Sequence, residues 1–424
     1  MVALPLALSL AVAGEEPFPV GRWIAPPKAA DPQRNLPLIR KEFSLDSRPE
    51  RALLRVIGLG DYDPSVNGIP LSKVGMNQPW SQYERTIYYR DFDLTPHLKA
   101  GANCVGIALY NSFWHNPDPP AGRYNKSGPQ RSEGEPWLVR AEIVWESKGK
   151  ESRIGSDASW QTTPGPVAFS HVFAGEDYDS RAARKGWDRA GTSAAGWVPV
   201  REVEGPSSEL LPYDAPLIEP DGKSLVPATP AFGGGVWRYA FSRNVAGQLR
   251  AVLKGGASGA KVSFRSGEHR SPEGRLFGHY DVATEIVTDG ARVDRRWRSF
   301  YLGLQFVEVS GAVPPGQPNP EGLPVLERLE LLPVRAALPV HGLFRSSSEV
   351  LDGTHRIVDA AMRANSSWVL TDCPHREKLG WLECAHLLAP SFLYRYDSAR
   401  WFRKIFRDIQ DAQLPDGNVP TVAP

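Results

Sequence analysis

Arg51-Ala-Leu-Leu-Arg-Val-Ile57 is the run that decides the fold: short, rich in branched apolar residues and bounded by turn formers, it reads as a β-strand. Cys104-Val-Gly-Ile-Ala-Leu109 repeats the pattern, and from about 40 to 197 such runs are separated by Gly, Pro, Asn and Asp. An all-β domain is expected there. Asn67-Gly68 follows Ser65-Val66, and because both residues tolerate positive φ, a type I′ hairpin turn is predicted. Residues 204–230 are rich in Pro, Gly and Ser, with Gly205-Pro-Ser-Ser208 and Pro220-Asp-Gly222, and read as a linker. A second β region follows, with alternation in Val236-Trp-Arg-Tyr-Ala-Phe241, Leu249-Arg-Ala-Val-Leu253, Lys261-Val-Ser-Phe264 and Gln305-Phe-Val-Glu-Val309. The proline-rich Gly311 to Pro320 closes it.

After about His341 the period lengthens from two to nearly four. Ile357 and Ala361, then Trp401, Ile405, Ile409 and Ala412, recur at helical spacing, and Ser398 is placed to cap the last helix. No internal repeat supports a solenoid or propeller. The periods therefore divide the chain into 1–14, 15–203, 204–230, 231–338 and 339–424: an apolar leader, a β-sandwich, a linker, a second β-sandwich and a helical region.

Composition narrows the functional classes. The chain has 424 residues, too many for one core, so several domains are expected. With 49 basic and 48 acidic side chains it lacks the electrostatic footprint of a nucleic-acid or anionic-membrane binder. Met1 to Gly14 form an apolar run ending in Ala11-Val12-Ala13, the mark of a signal peptide, so a secreted or periplasmic protein is expected. Cys104, Cys373 and Cys384 are too few for a disulfide framework, and the pairs Cys373-x-His375 and Cys384-x-His386 lack the spacing of structural zinc sites. No metal or cofactor is expected.

Chemistry concentrates in Thr371-Asp-Cys-Pro-His-Arg-Glu-Lys-Leu-Gly-Trp-Leu-Glu383, where Pro374 and Gly380 interrupt regular structure. Glycoside hydrolysis needs a protonated carboxyl as acid and a second carboxylate acting through water or as nucleophile. Asp372, Glu377 and Glu383 are carboxyl candidates, Arg376 offers a planar donor fork, and Trp381 offers an aromatic face for a sugar. Taken alone, the constellation fits a helix-end salt bridge better than it fits catalysis.

The segment Asp372-Cys-Pro-His-Arg-Glu-Lys-Leu-Gly-Trp381 resembles the Asp-Cys-Pro-x-Arg-Glu-x-Leu-Gly-Trp signature of bacterial α-L-rhamnosidases, glycoside hydrolase family 78 and its relatives. Arg55 to Tyr110, with Gly58-Leu-Gly60, Val66-Asn-Gly68, Pro79-Trp80 and Tyr89-Arg-Asp-Phe-Asp-Leu94, is similar to the family's N-terminal sandwich. Tyr239 to Gly311 is similar to its next β domain, and Asp416 to Pro424 to an Asp-Gly-x-x-Pro turn in its catalytic domain. The resemblance implies a multidomain fold: two jelly-roll-like β-sandwiches, the first galactose-binding-like, followed by the first helices of an (α/α)6 six-hairpin barrel. It also implies removal of terminal α-L-rhamnose with inversion, Glu377 as general acid, and Asp372, Arg376 and Trp381 as substrate contacts. The expected partner is a carbohydrate. Glu383 with Cys384 stands where many family members have Gly-Asp, so Glu383 is retained as a possible replacement for that acidic contact.

Twelve barrel helices need on the order of 200 residues, whereas 339–424 holds three or four. An incomplete barrel without its general base is therefore expected, with little activity in these residues alone and with Trp401, Ile405 and Ile409 left without partners. The competing expectations are a carbohydrate-binding or inactive protein, and a related barrel glycosidase acting on another sugar.

Overall fold

The computed structural model describes residues 16–28, 35–124, 126, 135–274, 276–277 and 282–424. The expected signal peptide lies outside the described residues. Among those described, no helix is long and apolar enough to cross a membrane.

Arg51–Leu59 is a central strand of a seven-stranded sheet, antiparallel to Leu138–Ser147 on one side and Thr86–Asp93 on the other. Both of its faces are covered, which explains why the run is apolar at nearly every position rather than strictly alternating. Ala52, Leu54 and Val56 point into the core shared with a six-stranded sheet built around Pro37–Leu45 and Gly101–Tyr110. Ile57 and Leu59 belong to a different cluster on the opposite face of the strand. Asn67 and Gly68 adopt φ of 51° and 81° between the paired strands Asp61–Val66 and Ile69–Pro70, as the turn dipeptide requires.

The second β region is one continuous ten-stranded sheet. Its spine is the 19-residue strand Val236–Lys254, which pairs with Leu302–Ser310 from Trp237 to Gly247, with a register shift between Ala240 and Val245, and with Val325–Ala336 from Gly247 to Lys254. Strands Val167–His171 and Gly175–Asp179, which precede the expected boundary at 203, join this sheet through a parallel pairing with Ala283–Val287. The segment 204–230, read as a linker, is also laid onto the sheets. Glu209–Pro212 pairs with Thr86–Asp93, and Ile218–Pro220 with the end of Val325–Ala336. These edge strands are three and four residues long and end in proline, so they carry too little period to be distinguished from a linker in the sequence.

The helical region contains α1 (Glu349–Ala364), α2 (Leu382–Arg395) and α3 (Ala399–Ala412). Ser398 precedes α3 as expected, but its side chain makes no capping hydrogen bond. The expectation that Trp401, Ile405 and Ile409 lack partners is wrong, Ile409 being partly buried against the same cluster. Trp401 is fully buried and Ile405 nearly so, packed with Leu338, Phe392, Tyr396 and Phe402, and the Trp401 indole donates to Ser367 O at 3.0 Å. The partners come from the chain leaving the last β-strand and from the end of α2. The exposed large apolar residues of the helices are Val350, Leu351, Ile357 and Val358 on α1, Leu387, Leu388, Leu393 and Tyr394 on α2, and Phe406 on α3.

A third cluster joins all three regions. Trp23, Ile57, Leu59, Trp80 and Tyr83 of the first sandwich meet Ala246, Tyr301, Leu332 and Val334 of the ten-stranded sheet and Trp368 and Val369 of the helical region. The chemically interesting turn lies immediately after Val369.

Candidate active site

Residues 371–381 leave this cluster as an irregular segment and end at the start of α2, the sequence's Pro374 and Gly380 supplying the breaks. The segment is fixed from both sides. Gly303 N–H donates to Pro374 O at 3.0 Å, and a Cβ on Gly303 would lie 2.7 Å from Pro374 Cγ, so only glycine permits this approach of sheet and turn. At the other end Ala423 N–H donates to Gly380 O at 3.0 Å and Leu382 N–H to Thr421 O at 3.0 Å, so the Asp416 to Pro424 stretch folds back against the turn.

Glu377 stands at the centre. One carboxylate oxygen accepts from the Trp381 indole N–H at 3.0 Å and lies 3.4 Å from Lys126 Nζ, while the other accepts from Arg376 Nη2 at 3.2 Å. Burial pushes the Glu377 carboxyl pKa up, but Lys126, the indole hydrogen bond and Arg376 together outweigh it and hold it below the usual range. Asp372 is half-buried, and its Oδ1 is buried without a hydrogen-bond partner among the described residues. Burial raises its pKa, and the Glu377 charge adds to that, against an opposing hydrogen bond with Cys373. The two carboxyls thus differ in proton affinity within one turn.

Behind them Cys373 Sγ accepts the Glu377 N–H at 3.3 Å. Burial would raise the thiol pKa, yet His375 and the Glu377 amide bring it below its ordinary value. His375 Nδ1 lies 2.9 Å from Glu268 Oε2, and although burial disfavours its charge, Cys373 and Glu268 raise its pKa to about 9. The cysteine and histidine that invite a zinc reading are thereby engaged with each other and with a carboxylate. Among the described residues no three His, Cys, Asp or Glu side chains are grouped to hold a metal ion.

The structure brings together Asp372, Arg376, Glu377 and Trp381 of the expected set. Trp381 differs in use: its N–H is committed to Glu377, so it orients a carboxyl as well as presenting a ring. Glu383 is exposed on the first turn of α2, which begins at Leu382 just beyond Trp381. Sequence reading missed Lys126 and Glu268, which reach the turn from the two β domains. Nothing local marks either residue, each more than a hundred positions away. Lys378, adjacent to Glu377, stands at an unspecified position of the signature.

Two family models match the chain, and between them cover more than half of it. Residues 47–220 match the α-L-rhamnosidase N-terminal domain, and 339–424 the bacterial α-L-rhamnosidase six-hairpin glycosidase domain. An α-L-rhamnosidase of Streptomyces avermitilis is 28% identical over 95% of this chain and 38% of its own length, and one of Formosa agariphila is 25% identical over 89% and 40%. Among solved structures, the α-L-rhamnosidase of Aspergillus terreus superposes with a TM-score of 0.85 at 26% identity, over 96% of this chain and 47% of that one. The S. avermitilis α-L-rhamnosidase complexed with L-rhamnose gives 0.83 at 25%, over 92% and 37%. The chain thus spans less than half the length of these relatives.

Proposed function

The chain belongs to the bacterial α-L-rhamnosidases, and from this we propose that it acts as an exported, exo-acting glycoside hydrolase that releases terminal α-L-rhamnose with inversion, Glu377 serving as general acid. The observation that carries the reading is the Glu377 carboxyl itself, presented by Trp381, Arg376 and Lys126 in the signature turn of the matched glycosidase domain. In this reading α1 to α3 are the opening helices of an (α/α)6 barrel, and Asp372, Arg376 and Trp381 contact the sugar. A relative carrying bound L-rhamnose supports the sugar class.

An acid must carry its proton when the glycosidic oxygen arrives. In the unliganded turn the cations favour ionised Glu377, while Asp372 binds a proton more readily. A sugar that draws Arg376 or Lys126 onto its hydroxyls removes that bias and returns proton affinity to Glu377. Lys126→Met tests this. Losing the cation should raise the Glu377 pKa, so the acid form persists to higher pH and the basic limb of the kcat/KM profile moves upward. A lower rate with an unmoved limb would show that Lys126 does not set this protonation.

The raised proton affinity of Asp372 favours a second reading in which Asp372 donates and Glu377 stays ionised. Asp372→Asn then removes the basic limb, whereas under the first reading Glu377→Gln removes it. The function as a whole is tested with a panel of nitrophenyl glycosides. Release from the α-L-rhamnoside alone supports the assignment, and equal release from another glycoside would change the sugar. No release together with L-rhamnose binding in calorimetry would leave a carbohydrate-binding protein.

A further inference from the structure

The geometry points to Lys378 as a positioning residue for Glu377: its amine clamps the turn that bears this carboxyl onto two segments of the ten-stranded sheet. The inference takes its catalytic meaning from the reading of Glu377 above, while the clamp itself stands on contacts alone.

Lys378 is 2% exposed, an unusual placement for lysine, which is almost never buried unless its amine is matched. Its Nζ donates to Val172 O and to Tyr301 O, each at 2.6 Å. Val172 sits at the tip of the hairpin formed by Val167–His171 and Gly175–Asp179, and Tyr301 immediately precedes the strand Leu302–Ser310. One amine therefore ties the turn to two places 129 residues apart in the chain. The rings of Phe173, Phe300 and Tyr301 surround it at 5.9, 5.9 and 4.8 Å from Nζ to their centroids.

The backbone at Lys378 has φ 52°, in the left-handed region that non-glycine residues rarely occupy. This reversal separates two neighbouring side chains: Glu377 faces Lys126 and Trp381, and Lys378 faces the sheet. Holding one end of such a reversal fixes the direction of the other. An apolar residue would fill the aromatic surroundings but leave two buried carbonyls without donors. Burial pushes the Lys378 pKa down to about 7, with Cys373 opposing. An amine keeps at least two N–H donors in either protonation state, so the clamp holds on both sides of neutrality.

The test reads the Trp381 indole, which reports on the Glu377 carboxyl directly. The full chain is labelled with ¹⁵N-tryptophan, and the Trp381 signal is identified by its loss in Trp381→Phe and by its position in Glu377→Ala, where the carboxylate is gone. In Lys378→Met the Trp381 signal is expected to move towards its Glu377→Ala position while the other indole signals stay in place. A Trp381 signal unmoved in folded Lys378→Met protein overturns the proposal. A second measurement needs no variant: amide exchange across 373–379 in the wild-type chain should be as slow as in Leu302–Ser310, and exchange at the rate of an open loop also overturns it. In turnover assays Lys378→Met should lower kcat by about 10²-fold with KM near the wild-type value, the effect of misplacing a reacting group. Absence of turnover by a wild-type protein that also carries a general base would count against the assignment of Glu377 and leave the indole signal to decide the clamp.

Discussion

In a protein that also carries the general base, Glu377→Gln should reduce hydrolysis of a nitrophenyl α-L-rhamnoside by about 10²–10⁴-fold, the contribution of a positioned general acid. The substitution keeps the shape of the side chain and an oxygen able to accept from the Trp381 indole, so the turn should keep its form. It removes the transferable proton and the negative charge facing Lys126 and Arg376. Affinity for L-rhamnose, measured by calorimetry, should survive within a few-fold. Near-normal turnover would remove Glu377 from the mechanism, and loss of sugar binding in parallel with turnover would show instead that the carboxylate holds the ground-state sugar. A substrate with a better leaving group sharpens the distinction, because a leaving group that needs no protonation should recover much of the lost rate.

The largest expected effect on stability lies away from the carboxyl turn, at Glu176. Its carboxylate is fully buried, accepts from Arg295 Nε at 2.9 Å and also from Arg295 Nη2, and takes the Ser299 hydroxyl at 2.5 Å through its other oxygen. Glu176→Ala leaves the Arg295 guanidinium enclosed without its counter-charge, which should destabilise the protein by about 3–5 kcal/mol. Urea unfolding followed by tryptophan fluorescence should show a lower midpoint with little change in slope. A loss under about 1 kcal/mol would mean that water reaches the guanidinium when the carboxylate is removed. Since Glu176 lies in the hairpin that offers the Val172 carbonyl to Lys378, the same variant should also weaken the Lys378 clamp.

Features decided by local period or turn chemistry were legible in the sequence. Arg51 to Ile57 forms a strand, Asn67-Gly68 makes its hairpin turn, and the interval of four from Trp401 to Ile405 and Ile409 marks a helix. Features decided by what lies opposite in space were not. Whether Trp401 was buried depended on Leu338 and Phe392, which arrive from other elements. The segment 204–230 looked like a linker because pairing of a few residues at a sheet edge leaves no periodic trace. The carboxyl turn was legible through its signature, including Asp372, Arg376, Glu377 and Trp381. Its electrostatic state was not, because Lys126 and Glu268 enter from distant parts of the chain.

The cluster in which Trp80, Tyr301 and Trp368 meet bears on how such a protein can evolve. Lys404 of α3 reinforces the junction, pairing with Asp408 at 2.6 Å in a fully enclosed site and donating to Trp80 O. β domains attached to a catalytic region are often regarded as modules, free to be lost or exchanged. Here recombination at 338/339 would strip apolar cover from three regions at once and strand a buried lysine. The two β domains and the helices are thus expected to exchange as one unit rather than as separate modules.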